Sequence, residues 1–82
     1  MATNTVYVKN ISYQATPEDL AKALSDCGKV TNAYILTERF RGQLVSRGSG
    51  FVTFETEEEM NAAIAASGKL TINHRSLIIA KA

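Results

Sequence analysis

Two short segments carry aromatic rings and cations at alternating positions. A strand sends successive side chains to opposite faces. In Val6-Tyr7-Val8-Lys9-Asn10-Ile11, Tyr7 and Lys9 therefore share one face while Val6 and Val8 share the other. In Arg47-Gly48-Ser49-Gly50-Phe51-Val52-Thr53-Phe54, the same rule groups Arg47, Ser49, Phe51 and Thr53 against Gly48, Gly50, Val52 and Phe54. The second set fits a core. The first set joins a cation to a flat ring, which suits a phosphate and a stacked base.

These strands need elements to hold them. After a polar lead-in over 1–4, the first strand is expected at about 5–9. Thr16-Pro17-Glu18-Asp19 then opens a helix, with a hydroxyl to cap, proline at the first helical position and two acids favouring the dipole. Leu20, Ala23, Leu24 and Cys27 form its apolar stripe, and Gly28 is placed to end it with a positive φ. A second strand, about 30–36, sets Ala33 and Ile35 against Asn32, Tyr34 and Leu36. A polar loop is expected over about 37–46, with Arg39, Phe40, Arg41 and Gly42, before the third strand at about 48–55. Thr56-Glu57-Glu58-Glu59 fits a capping box. The helix it opens has Met60, Ala63, Ile64 and Ser67 as its stripe, with Gly68 beyond. A last strand, about 77–81, turns Leu77 and Ile79 inward and Ile78 and Ala80 outward. The order β-α-β-β-α-β predicts an α+β, ferredoxin-like sandwich: a four-stranded antiparallel sheet with two helices on one face.

The octapeptide 47–54 resembles the longer motif of the RNA-recognition-motif family at every specified position except the third, and 6–11 resembles the family's six-residue motif. The two stand about forty residues apart, in the family's order, and the resemblance spans nearly the whole chain. It implies that the motif-bearing strands are central neighbours, that Tyr7 and Phe51 each stack a base of single-stranded RNA, and that Arg47 pairs with a backbone phosphate. Ser49 is the departure, because most members place a third aromatic there. A serine hydroxyl can hydrogen-bond but cannot supply that apolar contact, so weaker binding is expected unless loops compensate. Arg39, Phe40 and Arg41 are candidate compensators, mixing cations and a ring. Lys9 and Tyr34 face the open side, and Lys81 falls where members often contact ligand. Asn10 is read as fixing the turn after its strand, and His74 and Arg75 as turn residues. Tyr34, Leu36 and Ile78 make the open face apolar, so a protein partner on that face or on the helices is the alternative. Stacking does not sense the 2′-hydroxyl, which leaves single-stranded DNA open as a ligand.

Composition narrows the classes. With 82 residues, residues 1–82 read as one domain with its core at about 5–82. One Cys and one His exclude an internal disulfide and a closed metal site. Gly48-Ser49-Gly50 enters a strand, whereas a dinucleotide fingerprint leaves one. Consecutive Glu57 to Glu59 cannot converge on one point of a helix. The expectation is therefore a binding module: no enzyme, no cofactor, no metal. Net charge is only +1, yet Glu18, Asp19, Asp26 and Glu57 to Glu59 fall in the helical segments. Lys9, Arg39, Arg41, Arg47 and Lys81 fall on strands or their loop, which leaves one sheet face positive. No apolar run approaches the roughly 18 residues of a membrane span, and the N-terminus lacks the build of a signal peptide. The chain is expected to be an intracellular monomer of the nucleus or cytoplasm. Met1 fits a native start, and the stop directly after the last strand fits trimming.

Overall fold

The computed structural model describes residues 4–82, so most of the expected lead-in lies outside them. Thr5–Lys9 (β1) alternates as its sequence demands: Val6 and Val8 are buried, Tyr7 is half-buried on the opposite face and Lys9 is exposed. Pro17–Leu24 (α1) begins with a complete capping box. The Asp19 N–H donates to Thr16 Oγ1 and the Thr16 N–H donates to the Asp19 carboxylate, each at 3.1 Å. Glu57–Ala65 (α2) repeats the device with Thr56 and Glu59.

Gly28 does not close α1 as expected. The helix ends at Leu24, with Ser25 still right-handed and its hydroxyl donating to the Lys22 carbonyl at 2.7 Å, and Gly28 has no positive φ. Asp26 and Cys27 therefore lie in the turn beyond the helix. Gly28 is needed for space, since a Cβ there would overlap the Glu59 side chain. Glu59 uses that closeness: its carboxylate accepts from the Lys29 N–H at 2.7 Å and the Thr56 N–H at 3.0 Å, tying the start of α2 to the chain that leaves α1.

These bonds favour the ionised carboxylate, the Lys29 N–H most of all, and hold Glu59 below its ordinary pKa. The unfolded chain therefore takes up this proton first. Stability contributed by Glu59 is present above the usual glutamate range (about 4.3) and is lost as pH falls toward the depressed folded value. Thermal melts across this acid limb are expected to fall less steeply for Glu59→Gln than for the unaltered chain, and parallel limbs would refute the assignment.

Val30–Phe40 (β2) and Gln43–Phe54 (β3) correct the loop expected over 37–46. Thr37 to Phe40 pair with Gln43 to Ser46 as a hairpin arm whose tip, Arg41-Gly42, takes φ of 52° and 80°. Two left-handed residues at a two-residue turn match the twist of paired strands. The arm read as a loop because no inward apolar set marks it. Between Ile35 and Thr37, two steps of β2 span the four steps of β3 from Gly50 to Ser46. This bulge is accommodated at Gly48, whose φ of 78° penalises any side chain.

The main sheet has the order β2-β3-β1-β6, all antiparallel, with β6 at Ile78–Lys81. Leu20, Leu24, Met60 and Ala63 from the helices join Val6, Val8, Ile35, Val52, Phe54 and Ile79 from the strands in one core. The helices thus cover one sheet face and leave the other open. A separate two-strand hairpin, Thr71–Ile72 (β4) with Arg75–Ser76 (β5), turns through Asn73 and His74 at φ of 51° and 68°. The turn reading for His74 is met, while the extra strands were not foreseen.

Candidate nucleic-acid interface

Directly paired residues share a face, so strand register arranges the open side in rows. Tyr34, Phe51, Tyr7 and Ala80 form one row across all four strands, β2 to β6. Asn32, Thr53 and Thr5 form a polar row on one side of it, with the two threonine hydroxyls 2.9 Å apart. Ser49, Lys9 and Ile78 form a row on the other side. Three rings therefore lie in line between a polar strip and a mixed one that carries Lys9.

The Tyr7 and Phe51 rings have centroids 5.2 Å apart and planes inclined by 41°. That spacing lies within the favourable range for aromatic pairs and braces each ring. Ala80 beside Tyr7 adds almost no bulk, which keeps the platform clear on that flank. Lys9 holds its ammonium 5.5 Å from the Tyr7 ring centroid, a cation–π distance that keeps the charge beside the ring. Tyr34 is 54% exposed and Ile78 47% exposed.

A hollow adjoins this row. Tyr7, Lys9, Ser49 and Arg47 line it, so four of the expected residues meet. Arg47 reaches it from beside the bulge at Gly48, where strict alternation no longer holds. Ser49 forms part of the wall and is only 8% exposed, so a ligand meets little of its hydroxyl. Three expected residues stand apart. Arg39 and Arg41 lie on the hairpin arm, with Arg41 5.4 Å over the Phe40 ring. Lys81 pairs with Val6, which places it on the helix-bearing face and corrects its expected share in the open one. Its own strand's alternation already implied this, since Leu77, Ile79 and Lys81 have the same parity.

Sequence reasoning missed Tyr13 and underrated Arg75. Tyr13 is 69% exposed on the connection after β1, with Gly48 packed beside its ring, and it lines the hollow. Tyr13 and Arg47 also wall a second hollow formed with Glu38, Phe40, Leu44 and Val45 of the arm. A tyrosine just past a strand carries no periodic signal that would have identified it. Asn10 does fix its turn, at φ 64°, with its amide donating to the Ser76 carbonyl at 2.8 Å. The same amide's oxygen accepts from Arg75.

Known proteins agree with this geometry. The family model described as "RNA recognition motif" matches residues 6–78. Glycine-rich RNA-binding protein 1 of Mycosarcoma maydis is 42% identical over 72 residues, covering 88% of this chain and 40% of that protein. The chloroplastic 29 kDa ribonucleoprotein A of Nicotiana sylvestris is 35% identical over 81 residues, covering 99% of this chain and 29% of that protein. The chain thus spans well under half the length of these curated relatives. The crystal structure of RNA Binding Protein PG1 superposes with a TM-score of 0.82 at 36% identity, covering 99% of this chain and 94% of that one. Two helices on one face of a β2-β3-β1-β6 sheet, both sequence motifs on its central strands, and a family match over 6–78 mean that this chain belongs to the RNA recognition motif family.

Proposed function

We propose that the chain is a single-stranded RNA-binding module in which Tyr7 and Phe51 each stack a base, Tyr34 extends the platform, and Arg47 and Lys9 meet backbone phosphate. The observation that carries this reading is the aromatic row Tyr34–Phe51–Tyr7, left open beside two cations. Tyr34 also stands in for the ring absent at position 49, one row away from it. Arg39 and Arg41 extend positive charge along the arm toward the flanking strand. Ser49 and Lys81 contribute least, the first by burial and the second by its face.

In this reading the module binds without catalysing a reaction, and its 82 residues form one domain. Base edges and the ribose 2′-hydroxyl decide RNA over DNA, because stacking itself is indifferent to the sugar. Half-buried Cys27 has its thiol pKa raised by burial and by Asp26, which fits an unreactive thiol. The plastid name of one relative adds the chloroplast to nucleus and cytoplasm as candidate sites.

An NMR titration with randomised short RNA pools tests the proposal. Amide shifts are expected on β1 and β3; shifts confined to α1 and α2 would move the RNA site off the sheet, and no shifts at all would favour a protein partner. Arg47→Ala is expected to reduce the steepness of log K against log salt by about 0.7, the release expected for one single-strand phosphate contact. An unaltered slope would remove Arg47 from the phosphate role.

A further inference from the structure

The hollow beside Tyr7 has a cation that neither motif contains. Arg75, on β5, donates from Nη2 to Asn10 Oδ1 at 2.7 Å, across 65 residues of sequence. Asn10 in turn donates from Nδ2 to the Ser76 carbonyl at 2.8 Å, so one amide anchors both the guanidinium and the backbone beside it. Arg75, Lys9 and Arg47 then line a single hollow in which no lining residue is acidic. Among the described residues the one ion pair is Lys29–Glu55, which uses none of these three cations. Three cations without an ion-pair partner on one hollow repel one another unless an anion or solvent screens them. A guanidinium has five N–H donors in a planar fork, and the bond to Asn10 occupies few of them.

The geometry points to Arg75 as a phosphate ligand, held in place by Asn10 as its positioning residue. The ligand is the backbone phosphate of the nucleotide next to the one stacked on Tyr7, with the Tyr13 ring as the wall against which that nucleotide rests. This inference depends on the RNA reading above and extends it from two stacked bases to at least one further nucleotide. Charge from Lys9, Arg47 and Arg75 supplies affinity there where Ser49 offers no ring.

Fluorescence anisotropy with labelled RNA dinucleotides and tetranucleotides of randomised sequence tests it in the unaltered chain, Arg75→Gln, Asn10→Gly and Phe51→Ala. Glycine keeps the φ of 64° at position 10 accessible while removing the amide. The unaltered chain is expected to gain affinity from dinucleotide to tetranucleotide. Arg75→Gln is expected to lose about 3- to 10-fold of that gain, together with about 0.7 of the salt slope, and to bind the dinucleotide as before. Asn10→Gly is expected to weaken the tetranucleotide while retaining more of the salt slope, because the charge stays and only its placement is lost. In the unaltered chain, the Arg75 Nε–H resonance is expected to shift on adding tetranucleotide. A tetranucleotide affinity and slope unchanged by Arg75→Gln, with Phe51→Ala still weakening both lengths, overturns the Arg75 site and leaves the RNA reading standing. Failure of the unaltered chain to bind either length overturns both.

Discussion

Phe51→Ala is expected to weaken binding of short single-stranded RNA by about 1–3 kcal/mol, the cost of losing one stacked base, or about 5- to 140-fold in Kd. The fold is expected to survive. Phe51 lies half-buried on the open face, and its sequence neighbours Val52 and Phe54 carry the core contacts of β3 on the other. The effect should exceed that of Lys9→Ala, because deleting Phe51 also removes the brace on Tyr7, 5.2 Å away between centroids. Isothermal titration of both variants against one RNA checks this ordering. Equal affinity for Phe51→Ala and the unaltered chain would mean that bases do not sit on this row.

Gly50→Ala is expected to produce the largest loss of stability of any single methyl addition in β3. A Cβ at Gly50 would be driven into the Tyr34 carbonyl oxygen and would stand 3.1 Å from Ile35 Cα, so the obstacle is the backbone of β2 rather than a flexible side chain. Overpacking of this kind costs about 1–3 kcal/mol or more. In a chain of this length each kcal/mol lowers Tm by about 4–8 °C. The functional consequence follows from register, since Tyr34 faces Phe51 and the pair Ile35–Gly50 is its immediate neighbour. Pushing β2 away from β3 there separates the outer ring from the platform. RNA affinity is therefore expected to fall even at temperatures where the variant is folded. A Tm within error of the unaltered chain would show that β2 yields at no cost.

Much of the fold was legible because its signals are local. Thr16 and Thr56, each followed three residues later by an acid, announced both helix starts, and both capping boxes form. Alternation in 6–9 and 49–54 correctly separated Val6, Val8, Val52 and Phe54 from Tyr7 and Phe51. Legibility failed where the determinant is a partner distant in sequence. Gly28 looked like a helix terminator, yet its role is to admit Glu59, 31 positions later. The arm over 37–46 looked like a loop, since neither of its strands has a core beneath it to impose alternation. Charge segregation and the resemblance both assign Lys81 to the open face, although parity within its own strand places it on the other.

From its residues alone, this chain determines which side chains share a face, where its helices begin and which family it joins, because these depend on neighbours a few positions apart. Only the folded sheet decides that Tyr34, Phe51 and Tyr7 form one row, that the bulge at Gly48 brings Arg47 to Tyr7, and that Arg75 reaches Asn10. Those meetings are set by the register of hydrogen-bonded strands and by turns between them. A shift of one residue in any of these strands would send its own ring to the opposite face.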